Sequence, residues 1–355
     1  INNKCIILHP KLRDERRTYS KEMLDEMFNL ANNLNIEISL KKIIQINNKN
    51  SSTLIGKGNL EQLKSYIKFN SVNLLIINTN LSPSQQRNLE VYLNLKVTDR
   101  AGIIIEIFSK RAKSNEGKMQ VELAELIYRK SRLVRAWTHL ERQRGGTSFI
   151  GGPGELQIEL DRRYIQQKIL NIKSRLRKVG SRRKNQRKSR INKNFKTFAL
   201  VGYTNAGKTK LFNSLTKKKQ SSRNRLFETL DTKISRLYLG QRYVGIIDTV
   251  GFINNIPTQL IESFHATLEE IHSADFVINV VDVNDINAKN KIKTTKNILR
   301  ETGIDENKIT NMITVYNKID LNNVSYKCSN NRFYLSALTG KGISNFKASL
   351  KNKIN

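Results

Sequence analysis

The N-terminal part of the chain alternates two textures. Short apolar runs, CIILHP, IEISLKKIIQI, VNLLIIN and GIIIEIF, are separated by stretches with helical spacing such as YSKEMLDEMFNLANNL and SPSQQRNLEVYLN. Apolar runs bounded by turn-forming residues read as strands, and their alternation with amphipathic helices predicts an α/β domain with a largely parallel sheet over residues 1–112. One helix start is written out locally. In SPSQQ, Ser82 can accept from first-turn N–H groups, and Pro83 suits the first helical position, where its missing N–H is no loss.

Beyond residue 112 the period changes. Met119, Leu123, Leu126, Lys130, Leu133, Trp137 and Leu140 follow alternating steps of four and three, which lays them on one face of a helix. After a glycine-rich break, RQRGGTSFIGGPGE, the residues Ile158, Ile165, Ile169, Ile172, Leu176 and Val179 repeat a similar stripe. Two such helices joined by a short loop are expected to pack as an antiparallel coiled hairpin, here over residues 113–195, with the glycine loop at its tip. Packing accounts for the stripes but not for the tip. From residue 196 to 355 strand–loop–helix patterns return, which predicts a second α/β body.

Charge then narrows the class of partner. A chain of 355 residues with 38% hydrophobic content can bury more than one core, and its 63 Lys and Arg against 30 Asp and Glu leave a net charge of +33. A polyanion is the first partner to consider. From Lys173 to Lys196 twelve of twenty-four residues are Lys or Arg and none is acidic, a run that reads as a basic linker or a nucleic-acid contact. Cys5 and Cys328 leave no disulfide framework, and His9, His139, His265 and His272 show no metal-ligand spacing with them. No apolar run approaches a membrane span, and the start INNKCIILHP lacks the succession of a signal peptide, so the expected setting is the cytosol. The expected form is a monomer.

Chemistry concentrates in the second body. FALVGYTNAGKTKLFNSL reads as strand, loop and helix start, and Gly202, Tyr203, Thr204, Asn205, Ala206, Gly207, Lys208 and Thr209 fit G-x-x-x-x-G-K-[ST] in that context. Glycines let backbone N–H groups approach phosphate oxygens, the helix N-terminus adds positive potential, Lys208 adds a point charge and the Thr209 hydroxyl can ligate Mg²⁺. This motif alone does not separate ATP from GTP. Downstream, YVGIIDTVGF ends an apolar strand at Asp248, a second oxygen donor for Mg²⁺, and Gly251 can offer its N–H to a γ-phosphate. NMITVYNKID then delivers Asn317, Lys318 and Asp320 at a strand end, followed by FYLSALTGKG with Ser336 and Ala337. An ionised Asp320 accepts only, so it can take two donors from a guanine edge, which adenine does not present. This last element resembles the guanine-reading element of the translational GTPase superfamily and points to GTP.

The resemblance sharpens along the chain. LSPSQQRNLE, DRAGIIIEIFSKRA, EGKMQVELAEL, RAWTHLERQRGG, GGPGELQIELDRR, LFETLDTK and DTVGFI together resemble the HflX family of ribosome-associated GTPases, from about residue 50 to the end and more weakly before. The resemblance implies an N-terminal α/β domain, a helical hairpin and a Ras-like G domain. It also implies GTP and Mg²⁺ as ligands, and the large ribosomal subunit with its RNA as partner. Contact would run through the tip, Gly145 to Glu155, and the basic run, and the expected role is binding, and in its fullest form splitting, of stalled ribosomes in the cytoplasm. The alternative is an RNA-binding assembly factor in which GTP is mainly a structural ligand. Phe149 at the tip would either stack on a base or fold back on Trp137. By the same resemblance Thr229 is the switch residue closing on Mg²⁺ and γ-phosphate, with Thr232 as the alternative, so that Lys208, Thr229 and Gly251 are the expected catalytic set. The sequence departs from the family pattern at Gly151, where Arg is usual, and at Leu156 and Lys210, where Thr is usual, and the extra C-terminal domain of some members, which would follow the helix after the Ser336–Ala337 loop, is expected to be absent. Phe252 stands where Ras-like enzymes with a water-orienting amide have Gln, so slow hydrolysis stimulated by the ribosome is expected.

Overall fold

The computed structural model describes residues 4–13, 15–46, 50–133, 153–192, 195–217, 227, 232–255, 265–321, 329 and 331–354. The chain forms two compact units, one comprising Ile1–Lys110 with Val121–Arg175 and the other Arg111–Gln120 with Leu176–Asn355.

In the first unit the order is β1 (Lys4–Leu12), α1 (Arg17–Asn32), β2 (Glu37–Ile46), α2 (Lys57–Asn70), β3 (Leu74–Ile77), α3 (Pro83–Leu93), β4 (Lys96–Asp99) and α4 (Arg100–Arg111). The sheet order is β2-β1-β3-β4 and every pairing is parallel. Parallel strands need both faces covered, which is why β3 and the Cys5–Leu8 segment of β1 are continuous apolar runs. Ile6, Leu8, Leu75, Ile77 and Val97 pack into one core with Leu60, Leu63, Leu89 and Leu93 from α2 and α3. Helix α3 begins as its sequence demands. Ser82 Oγ accepts from Gln85 N at 3.2 Å while Gln85 Oε1 accepts from Ser82 N at 3.0 Å, a complete capping box with Pro83 at the start.

One expected strand is a helix. GIIIEIF belongs to α4, and the fourth strand is the shorter Lys96–Asp99 just before it. A short, uniformly apolar run does not distinguish a buried strand from a buried helix. Here the local chemistry decides: Asp99 Oδ1 accepts from Gly102 N at 2.9 Å, an N-cap that stops the strand and starts a helix whose Ile103, Ile104, Ile107 and Phe108 are all buried. Asp99 is itself held by Arg132 at 2.5 Å and the Tyr128 hydroxyl at 2.9 Å from the next helix, α5 (Asn115–Leu133).

After α5 comes α6 (Pro153–Asn192), which starts at Pro153 rather than beyond the glycine loop and continues through most of the basic run. Proline at the first helical position fits this start. Leu123, Leu126, Ile169 and Ile172 of the two stripes are buried, and Lys130 Nζ donates to Gln166 Oε1 at 2.6 Å.

The second unit follows β5 (Thr197–Val201), α7 (Lys208–Thr216), β6 (Lys233–Tyr238), β7 (Tyr243–Asp248), α8 (His265–Ser273), β8 (Phe276–Asp282), α9 (Ala288–Glu301), α10 (Glu306–Thr310), β9 (Ile313–Asn317), a 3-10 turn at Ile319–Leu321, β10 (Arg332–Tyr334) and α11 (Ile343–Ile354). Its sheet order is β10-β9-β8-β5-β7-β6, parallel except for the β6–β7 hairpin. Central β5, TFALV, is buried along its whole length. Alternate residues feed two cores, Phe198 and Leu200 facing Leu211, Phe212 and Phe346, and Ala199 and Val201 facing Ile271, Leu299 and Ile309. Loops leaving the C-terminal ends of β5, β7, β8 and β9 are thus brought to one edge, the usual ligand edge of an open parallel sheet.

Candidate nucleotide site

The loop from β5 to α7 is held from behind. Thr204 N donates to Phe252 O at 2.8 Å and Phe252 N to Gly202 O at 3.0 Å, tying it to the exit of β7. Gly207 turns at φ +91°, and a Cβ there would collide with the Asn317 side-chain amide, so only glycine fits between the loop and β9. Lys208 is buried, its Nζ donating to Gly202 O at 3.0 Å and Tyr203 O at 2.7 Å. Burial pulls its pKa down to about 8, against the opposing pull of the Asp248 carboxylate. Thr209 Oγ1 donates to Asp248 Oδ2 at 2.9 Å, so two oxygen donors of the kind a hard divalent cation prefers stand side by side. A Cβ on Gly251 would lie 2.9 Å from Thr204 Cα and 3.0 Å from Lys208 Nζ, so its peptide is packed directly against the loop and the ammonium. A cleft opens beside Tyr203, Thr204, Asn205 and Ala206 and is backed by Asn279 and Asp285.

The second cluster lies at the end of β9. Asn317 Nδ2 donates to Ala206 O at 3.0 Å and its Oδ1 accepts from Ala337 N at 2.9 Å, so one side chain crosslinks the glycine loop and the Ser336–Ala337 loop. Ser336 Oγ accepts from Leu338 N and Thr339 N at 3.3 and 3.1 Å, and this serine is fully buried. Asp320 sits in the 3-10 turn with its Oδ1 shielded from water and, among the described residues, without a hydrogen-bond partner. A buried acceptor of this kind is costly unless a donor meets it.

Most of the expected site residues therefore converge at this edge: Gly202 to Thr209, Asp248, Gly251, Asn317, Lys318, Asp320, Ser336 and Ala337. Thr229, Trp137, Phe149 and the tip up to Gly152 lie outside the described residues. Thr232, the alternative switch residue, accepts instead from Arg183 Nη1 at 3.4 Å. The basic run is partly spoken for. Arg183 pairs with Glu116 at 2.6 Å, and Arg187 with Glu269 at 2.8 Å and Glu270 at 3.2 Å. Sequence reasoning missed Asp282 and Asn284, which bond to Lys318; the signal was there in VVDVND, a strand-end carboxylate on the neighbour of β9. Among the described residues no three of His, Cys, Asp and Glu cluster as a metal site, and no helix is long and apolar enough to cross a membrane. Burial pushes the Cys5 thiol up to about 12.

Comparison with known proteins agrees with this geometry. Residues 21–109 match the model for the GTP-binding GTPase N-terminal region, 111–190 that for the GTP-binding GTPase middle region and 197–318 that for the 50S ribosome-binding GTPase. GTPase HflX of Magnetococcus marinus is 44% identical over 315 residues, covering 88% of this chain and 71% of that protein. GTPase HflX of Escherichia coli is 41% identical over 299 residues, covering 81% and 69%. Among solved structures, the crystal structure of an SsGBP–GDP complex shares the fold with a TM-score of 0.52 at 24% identity, covering 99% of this chain and 98% of that one. With the phosphate loop, the strand-end carboxylate and the Asn-Lys-x-Asp element gathered at one sheet edge, and relatives matched over most of their length, the chain belongs to the HflX family of GTPases.

Proposed function

We propose that this GTPase binds Mg²⁺·GTP at the edge described above and uses the bound nucleotide to control attachment to the large ribosomal subunit. The observation that carries the nucleotide reading is the pairing of two features. Lys208 and the Thr209–Asp248 pair stand together on one side, and Asp320 Oδ1, shielded from water and without a hydrogen-bond partner among the described residues, stands at the other. Asp320 would accept from the guanine edge, Lys208 would place its charge on the phosphates, and Gly251 would direct its N–H at the γ-phosphate. Thr209 and Asp248 would hold Mg²⁺, which supplies charge neutralisation on the phosphates when bound. In this reading Thr229 joins them as the switch residue.

Hydrolysis is expected to be slow in the free protein. Phe252 is buried in the core with Ala199, Val201 and Tyr203, so position 252 offers no polar group to orient a water. Stimulation must come from elsewhere, and the ribosome is the proposed source. The match of residues 197–318 to a model described as a 50S ribosome-binding GTPase supports that partner, as does the net charge of +33. Residues 1–112, 113–195 and 196–355 would then act as sheet domain, RNA-reaching hairpin and switch. Splitting of stalled ribosomes is the fullest form of the proposal. Co-sedimentation with large subunits and with intact ribosomes tests it, comparing a non-hydrolysable GTP analogue, GDP and no nucleotide. Binding favoured by the analogue, with free subunits released from intact ribosomes, is the expected outcome; binding indifferent to nucleotide overturns the switch.

A further inference from the structure

We propose that Asp282 and Asn284 are positioning residues that hold Lys318 in a left-handed backbone conformation and thereby keep the base-reading residues Asn317 and Asp320 in place. The inference rests on the nucleotide reading above and extends it to residues at the end of the neighbouring strand β8.

Lys318 has φ +69°, a conformation that a residue with a Cβ rarely adopts without support. It lies between two residues with demanding placements. Asn317 before it spans Ala206 O and Ala337 N, and Asp320 after it must present a carboxylate edge. A relaxation of φ at Lys318 would rotate these two away from each other. Three hydrogen bonds oppose that relaxation, all from the end of β8, where Asp282 is registered opposite Asn317. Asp282 Oδ2 accepts from Lys318 Nζ at 2.7 Å. Asn284 Nδ2 donates to Lys318 O at 3.0 Å, which fixes the peptide leaving the strained residue. Val283 N donates to Asn317 O at 3.0 Å, which fixes the peptide entering it. Asp282 Oδ1 in turn accepts from Asn284 N at 3.0 Å and Nδ2 at 3.3 Å, so the carboxylate organises its own turn and Lys318 together. An isolated, partly exposed ion pair would contribute little. Here the pair closes a ring of side-chain and backbone bonds around one strained residue, and such networks act as a unit.

The consequence is a division of labour that kinetics can read. Loss of the clamp should loosen the guanine end of the site, whereas cleavage of bound GTP depends on Thr209, Asp248 and Gly251 at the phosphate end. The test uses the full-length chain with Asp282→Ala, Asp282→Asn, Asn284→Ala, Lys318→Met and the double variant Asp282→Ala/Lys318→Met. Dissociation of a fluorescent GDP is measured by stopped flow, and hydrolysis of preloaded GTP in a single turnover. In Asp282→Ala, GDP dissociation should speed up tenfold or more, with the hydrolysis rate changed far less. Asp282→Asn keeps the shape and tests the charge; it should fall between wild type and Ala. The double variant should dissociate GDP no faster than the worse single variant, because both break one network. An unchanged dissociation rate in Asp282→Ala, or additive effects in the double variant, overturns the clamp while leaving the nucleotide site standing. Failure of the wild-type chain to bind GDP overturns both.

Discussion

Lys208 offers a test of the phosphate site that needs no mutation. Its ammonium is buried and bonded to two carbonyls, Gly202 O and Tyr203 O, and its pKa lies near 8 rather than 10.5. A bound phosphate would favour the charged form and move the pKa back toward 10.5. Nucleotide binding should therefore take up a proton wherever free Lys208 is partly neutral. At pH 8 the uptake is about half a proton per GDP, and between pH 7 and pH 9 the dissociation constant should rise about tenfold, equivalent to about 1.4 kcal/mol. For the unliganded fold the sign is the reverse. The penalty for burying the charge is full below about 8 and is relieved as pH rises toward 10.5, so stability gains with pH across that window. Calorimetry at pH 8 in two buffers of different ionisation enthalpy counts the protons directly, and guanosine, which has the base but no phosphate, is the control. Zero uptake with GDP, or the same uptake with guanosine, would refute the argument that Lys208 is neutralised by burial and recharged by phosphate.

Other perturbations follow from the same geometry. Asp320→Asn replaces an acceptor with a donor toward the base, so preference should move from guanine toward xanthine, which offers a carbonyl there, by about 100-fold in relative affinity; competition binding with the two diphosphates checks it. Asn317→Ala strands the buried Ala206 carbonyl and Ala337 N–H and should cost about 2 kcal/mol in urea unfolding, in addition to any weakening of nucleotide binding. Thr209→Val removes one of the paired oxygens and should raise the Mg²⁺ concentration for half-maximal GTP hydrolysis by about tenfold or more; an unmoved midpoint would place the ion elsewhere.

How far the residues announced these features varies with the range of the physics. Motifs whose chemistry is local could be read directly: the glycine loop, Asp248 at its strand end, and the Ser82–Pro83 helix start each depend on a few consecutive residues. The apolar run Gly102–Phe108 went the other way, because its identity as helix turns on the Asp99 side chain capping Gly102 and on burial on several sides. Asp282 escaped notice for a related reason. Its partner Lys318 lies 36 residues away, and only the parallel register of β8 with β9 brings the strand ends together. Likewise, nothing near Thr232 in the sequence announces that its hydroxyl accepts from Arg183, 49 residues away.

The basic run shows how a charge count changes meaning once the backbone is helical. Read as a string, Lys173 to Lys196 offers twelve interchangeable cations; ten of them belong to α6, where the helix sorts side chains by face. Leu176, Val179, Arg183 and Arg187 recur at helical spacing and are half-buried, with Arg187 held by two carboxylates and Arg183 by Glu116. Arg177, Lys178, Arg182 and Lys184 are exposed. The first group stabilises the unit that holds the nucleotide site, and the second is available to a polyanion. Replacing Arg182 and Lys184 with Gln should weaken binding to large-subunit RNA and lower the slope of log affinity against log salt by about 0.7 to 0.9 for each phosphate no longer neutralised, with no change in the melting curve. Replacing Arg183 and Arg187 with Gln should instead cost about 1–2 kcal/mol of stability, since it breaks partly buried pairs, and leave the salt slope as it was. If both pairs of substitutions alter the slope alike, the run acts as one diffuse cloud of charge and the inner arginines hold nothing together.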